Sequence, residues 1–235
     1  MTTIDTRPVD TATAEPFHRT VPFPAKLAAA ALVIGAAGNT LQAVLGQVVG
    51  GRPETLSEQV ALANGRTGLV VAMSLAGLLA VPFMAAGFVA ASHLLARRSR
   101  RTGWVAGTLL VLGMWGFLGV QTTELVQITA LLDGAQGVAA AQWMQGLDAV
   151  PLLGAVYGLP FMAGTVIGML ALTIGLLVRG AGVPRWVPAV WLSFIVVDFS
   201  IGAVGPVDPH WLYLAGAVGL AHHIVRDRGR VWKNA

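Results

Sequence analysis

The stretch "TGLVVAMSLAGLLAVPFMAAGFVAASHLLA" occupies Thr67–Ala96, 30 residues without an acid, a lysine or an arginine. As an α-helix it would run about 45 Å, well past the roughly 30 Å hydrocarbon core of a bilayer. A helix on a water-soluble core carries a polar face outward, and this stretch has none to offer. It reads as a transmembrane helix, and the remaining chain follows suit. Comparable apolar runs lie near Ala25–Val49, Gly103–Leu132, Leu152–Val178, Trp186–Val204 and Trp211–Val225, the last being the shortest. Each approaches or exceeds the roughly 20 residues that cross a bilayer. The expected fold class is all-α, a polytopic membrane bundle of six transmembrane helices.

Composition agrees. Of 235 residues, 55% are hydrophobic and 11% charged, where soluble domains carry about 25% charged residues. A globule of this chain could not cover itself with polar surface. The net charge of +4 invites a nucleic-acid partner, but the placement of the charges excludes that reading. Arg97, Arg98, Arg100 and Arg101 separate the second and third runs, and Arg179 and Arg185 the fourth and fifth. Arg226, Arg228, Arg230 and Lys233 follow the sixth. With Arg7, Arg19 and Lys26 they fill alternate loops and leave only Arg52 and Arg66 for the other side. That is the positive-inside pattern, and it puts the N- and C-termini in the cytoplasm of a multi-pass cell-membrane protein.

The expected organisation is a disordered cytoplasmic tail over 1–24, a transmembrane domain over 25–225 and a basic tail over 226–235. The polar start shows no removable signal peptide. Without cysteine there is no disulfide, thiol nucleophile or thiolate metal site. Gly51 and Pro53 punctuate the end of the first helix. The loop 133–150 has room for a short interfacial helix near Trp143. In "GPVDPHW", Asp208 reads as an N-cap and Pro209 as the first helical residue of the last span. Trp104, Trp143, Trp186 and Trp211 read as interfacial anchors.

An internal echo appears at a shift of about 78 residues. "LVIGAAG" (Leu32–Gly38) falls on "LVLGMWG" (Leu110–Gly116), and "PFMA" at Pro82–Ala85 on "PFMA" at Pro160–Ala163. The expectation is a tandem repeat of helix pairs, spans one and two on spans three and four, with matching kinks at Pro82 and Pro160. Gly154/Gly158 and Gly164/Gly168 are small-residue pairs suited to close helix contact within the bundle or a homo-oligomer.

Only Glu124 and Asp198 are acids within the runs. Asp198 lies 12 residues beyond Trp186, roughly 18 Å into the layer. Glu124, in "GVQTTELVQ" (Gly119–Gln127), falls in the outer third once its helix tilts. A charge at such depth costs on the order of 2.5–3.5 kcal/mol by insertion scales. No lysine or arginine sits at that level to neutralise either acid, so both are candidate proton donors or cation-stabilising anions. Helical spacing adds Phe117 and Gln121 beside Glu124, and Trp191 and Phe194 beside Asp198. Asn39 and Gln42 on the first run, and Tyr157 and Phe161 on the fourth, lie at similar depth. Acids, amides and aromatic faces together suit an apolar substrate that passes through positive charge. The expectation is one shared pocket with the two carboxyls within about 10 Å, where a few kcal/mol of burial cost is relieved for both.

His93, His222 and His223 lie near cytoplasmic ends and read as interfacial residues. Neighbours 222 and 223 point about 100° apart, so at most one would ligate a haem or metal. No P-loop, GxSxG or HExxH occurs, and no cofactor or metal is expected. In residue types the chain resembles the small integral-membrane terpene cyclases of meroterpenoid pathways. Glu124 and Asp198 carry the resemblance, with Trp115, Trp191 and Phe194. No sequence motif is shared, and six spans depart from the seven of the fungal enzymes. The resemblance implies protonation of an olefin or epoxide on a prenyl or lipid-like substrate by an intramembrane acid, with aromatic side chains beside the carbocation. Two rivals use the same residues differently. A proton-coupled transporter would employ the acids as a relay, and a non-catalytic membrane partner or immunity protein would need only the packing surfaces.

Overall fold

The computed structural model describes residues 24–50, 56–131, 139, 142, 151–180, 182–202 and 208–226. The tails, most of the loop around Trp143, and Gly51 and Pro53 lie outside the described residues. No strand occurs among those described. The helices are α1 (Ala25–Val49), α2 (Leu56–Ala96), α3 (Arg100–Leu131), α4 (Pro151–Arg179), α5 (Trp186–Ser200) and α6 (His210–Arg226). Four are long and apolar enough to cross a membrane: α1, α2 from Gly65, α3 and α4. The apolar helix α5 is shorter, with 15 residues, and α6 has 17. Leu79 and Leu159 are 63% and 64% exposed. Such side chains, spread over the bundle's outer surface, suit contact with lipid tails rather than water.

Helix ends follow local chemistry. The chain leaves α1 through Gly50, whose left-handed φ of 115° brings its N–H back to Gln47 O and Gly46 O. Gly180 closes α4 the same way, at φ 58° with its N–H on Leu176 O. The end of α1 thus comes just before the glycine and proline named from the sequence. Arg66 interrupts α2 with non-helical dihedrals. Its Nη1 donates to Val48 O and Val49 O, so a cation sits on the last carbonyls of α1.

The core gathers on α2, with α1 on one side of it and α3 on the other, while α4 packs on α3, α5 on α4, and α6 on both α5 and α1. Contact is close where glycine permits it. A Cβ on Gly35 would lie 2.6 Å from Met84 N and 2.9 Å from Phe83 C. One on Gly113 would lie 2.7 Å from Thr165 N and 3.0 Å from Gly164 C. The same atoms recur, but the offsets differ: Gly113 is 78 positions after Gly35, whereas Thr165 is 81 after Met84. Gly38 against Ala76 O and Ala80, and Gly116 against Tyr157 O and Phe161, repeat the two offsets. Gly87 on Leu32 and Gly168 on Leu110 do so again.

This corrects the expectation of matched prolines. In space the counterpart of Pro82 is Ala163, three residues, or nearly one turn, from Pro160. Their surroundings also differ. α2 keeps helical dihedrals through Pro82, whereas Pro160 opens a π-helical segment, Pro160–Gly164, that follows another at Gly154–Gly158. There the Leu159 N–H reaches back five residues to Gly154 O. The offset of 81 already holds at Tyr157 and continues through Gly168, so the three-residue change arises before this stretch of α4.

The glycine pairs divide as well. Gly164 and Gly168 press on α3 at Gly113 and Leu110, but a Cβ on Gly154 or Gly158 would meet nothing within 4 Å. Gly35→Leu and Gly113→Leu should therefore each destabilise the bundle by about 1–3 kcal/mol or more through overpacking. Gly154→Ala should stay within about 0.5 kcal/mol of the parent, all three read by thermal unfolding in detergent.

Candidate functional site

Asp198 stands two residues from the C-terminal end of α5, and α6 begins across from it. The Asp208 carboxylate caps α6: its Oδ1 accepts the His210 backbone N–H at 2.8 Å and the His210 Nδ1 at 2.7 Å. Its other oxygen accepts from Gln47 Nε2 on α1. Three donors satisfy a side chain that is only 6% exposed. This bonding requires the imidazole to carry its proton on Nδ1, whether neutral or charged. The same nitrogen lies 4.0 Å from Asp198 Oδ1, too far for a hydrogen bond but close enough for an ion pair when His210 is protonated. Thr40, buried on α1, donates to His210 O at 3.0 Å. Three helices thus place one imidazole between two carboxylates.

Aromatic rings adjoin it. Phe194, one turn below Asp198, meets the His210 ring edge-on with centroids 5.3 Å apart. It also lies 5.3 Å from Tyr213. Trp191 is fully buried, its Nε1 donating to Tyr213 O at 3.0 Å. Gly216 admits the Trp191 ring, since a Cβ there would collide with it.

A second polar group lies in the seam of α1, α2 and α3. Gln42 Nε2 donates to Gln121 Oε1 at 2.9 Å, and both amides crowd against Gly77, where a Cβ would sit 2.6 Å from Gln121 Oε1. Seven residues along each helix, toward the Gly50 end of α1, Val49, Val70 and Ile128 form a small apolar cluster. That is two turns, about 10 Å. Glu124 and Ser74 fall in the interval between these layers. Glu124 is half-buried, and Ser74 is fully buried with a hydroxyl that has no hydrogen-bond partner. Gln121, 2% exposed, is the most enclosed of the amides.

The residues read from the sequence therefore fall into separate groups. Asp198, Trp191 and Phe194 come together on α5 and α6. Gln42, Gln121 and Glu124 belong to the α1–α2–α3 seam, with buried Asn39 on α1 just below Thr40. Phe117 stacks on Phe161 at 4.8 Å, and Trp115 lies 6.1 Å from Tyr157, on the α3–α4 face. Trp115 is 55% exposed, toward the surrounding lipid rather than an interior wall. α3 and α5 each pack on α4, and no comparable interface joins them directly. Among the described residues, no group of three or more His, Asp or Glu is placed to hold a metal ion.

Reading the sequence missed His210, Gln47 and Thr40. The signal for His210 was present in "DPH": a histidine two residues past a capping aspartate, at the start of α6. Gln47 and Thr40 carry no such signal, because only the packing of α1 on α6 brings them there.

The two groups differ in what they offer chemically. The Gln42–Gln121 pair supplies neutral donors and acceptors, and the second group sets an imidazole between two carboxyl groups. Gln42→Leu should cost about 1–3 kcal/mol of stability, because it strands a buried amide. The Gln42→Leu/Gln121→Leu double variant should cost less than the sum of the single changes, a coupling measured as a double-mutant cycle in detergent. Compared with protein-family models, curated proteins and solved structures, the chain finds no match in any of the three.

Proposed function

We propose that this protein is an integral-membrane enzyme that protonates a prenyl or lipid-like substrate, with Asp198 as the acid. One observation carries the reading: Asp198 faces an imidazole that Asp208 already holds, next to the ring of Phe194. In the reaction the Asp198 O–H bond breaks and a C–H bond forms at an olefin carbon, or the proton goes to an epoxide oxygen. The carbocation lies beside Phe194, whose aromatic face stabilises a desolvated cation by up to about 2 kcal/mol. Loss of a proton from a neighbouring carbon to the Asp198 carboxylate completes a net isomerisation or cyclisation. His210, when protonated, pairs with the Asp198 carboxylate left by the first step, until the substrate proton returns to it. Glu124, in the other seam, is assigned to the polar wall with Gln42 and Gln121.

The membrane arrangement belongs to the same proposal. α1–α6 are six spans of a cell-membrane protein with both termini cytoplasmic. The short helices α5 and α6, about 22 and 25 Å long, meet the bilayer by local thinning and by their terminal residues Trp186 and Trp211. The equivalent glycine contacts of α1–α2 and α3–α4 support a duplicated helix pair. Cysteine probes should label Ala139 from outside and spare Ser99, and the reverse pattern would invert the arrangement.

The chemical test uses proteoliposomes in deuterated water with linear polyprenyl substrates ending in an olefin or an epoxide. The expected result is a rearranged product, carrying one deuterium on carbon when an olefin is protonated. Asp198→Asn should lower the rate by about 10²–10⁴-fold, while Glu124→Gln should keep at least about a tenth of it. Equal rates for Asp198→Asn and the parent would sink the proposal.

A further inference from the structure

The opposite end of the bundle carries a charge cluster that this chemistry does not use. α2 passes into α3 through a tight turn. Arg98 N bonds to Leu95 O at 3.0 Å, Ser99 N to the same oxygen at 2.9 Å, and Gly103 N to Ser99 O at 2.9 Å. The Ser99 and Thr102 hydroxyls lie 2.8 Å apart. Gly103 brings the first turn of α3 against the backbone of Ala96, where no Cβ would fit. Arg97, Arg98, Arg100 and Arg101 are thereby confined to a few residues of chain. Arg179 joins them from α4: it lies one turn beyond Gly175, whose Cβ would sit 2.6 Å from Leu95 Cδ2.

Among the described residues, no acid lies at this end to neutralise the cluster. The acids whose side chains are described, Glu124, Asp198 and Asp208, all lie toward the other end of the helices. Arg97 is half-buried, and its Nη1 is shut off from solvent without a hydrogen-bond partner. Burial, and then the charge of Arg98, depress its pKa below the usual guanidinium value. A guanidinium losing water next to a like charge is stabilised by an anion that offers several oxygens. The flanking surface says which anion. Trp104 is 66% exposed on α3, one turn from Arg100, and Val178 is 71% exposed beside Arg179. Both belong to helices long and apolar enough to cross a membrane. Cations directly at the end of such helices, bordered by outward apolar side chains, match a phosphate with acyl chains attached.

We propose that the α2–α3 turn binds the headgroup phosphate of an anionic phospholipid, held by Arg97 together with Arg98, Arg100, Arg101 and Arg179, with its acyl chains along Trp104 and Val178. The site is independent of the Asp198 chemistry.

The test is native mass spectrometry of the full-length protein in non-ionic detergent, with phosphatidylglycerol or phosphatidylcholine added at equal concentration. Phosphatidylglycerol should be retained at least about fivefold better. Arg97→Gln should remove most of that preference, whereas Arg226→Gln, which removes a charge at the end of α6, should leave it. Arg97→Lys keeps the charge without the forked geometry and should retain an intermediate preference, which also serves if Arg97→Gln fails to fold. Inorganic phosphate at 10-fold excess over lipid should not compete. Equal retention of the two lipids, equal losses from Arg97→Gln and Arg226→Gln, or displacement by inorganic phosphate would overturn the proposal.

Discussion

α1 and α3 approach α2 and α4 so closely that Gly35 and Gly113 leave no space for a Cβ, and the positions of the polar groups depend on that contact. In a bilayer, apolar side chains gain little by leaving lipid for one another, so helix association rests on van der Waals contact and hydrogen bonds. Close approach of backbones supplies the first. It also fixes the height and rotation of α1. With Gly35 and Gly38 seated on α2, the next turns of α1 present Thr40 to α6, Gln42 to Gln121, and Gln47 to Asp208. One packed helix thereby serves both polar groups.

Charge is separated along the bundle axis. Arginines collect where α2 turns into α3, and the acids whose side chains are described gather toward the opposite ends of α3, α5 and α6. Each group has a physical answer to its burial. Asp208 accepts three hydrogen bonds, and Asp198 lies within ion-pair range of an imidazole. Arg97 Nη1 has no acceptor among the described residues, which is the difference between a charge folded into a network and one that favours a ligand. Glu124 and Asp198 sit on α3 and α5, which both pack on α4 without a comparable interface of their own.

Local chemistry and apolar run lengths were legible in the sequence, since both act over a few residues. An all-α membrane protein, the boundaries of α1, α3 and α4 to within a few residues, and the Asp208 cap follow from hydropathy and capping alone. The repeated "PFMA" was legible too, but its meaning was not. In its contacts with α3, α4 sits three residues out of step with the shift of 78, so identical letters occupy different places. Gly154 and Gly158 show the same limit: their spacing resembles that of Gly164 and Gly168, yet only the latter pair meets a neighbour.

The sequence by itself determined that the chain belongs in a bilayer, because no arrangement of so few charged residues could cover its apolar surface. It also determined that Glu124 and Asp198 carry the unusual charges. Which residues surround the Asp208 cap and the imidazole beside Asp198 was decided only by tertiary structure. Gln47 and Asp208 are 161 residues apart, and Thr40 and His210 are 170 apart. Their meeting depends on the rotation of α1 about its axis, which is set by the glycine contacts with α2 rather than by any local preference. Helix rotation and register are properties of packed surfaces, and a pattern along one strand of sequence does not contain them.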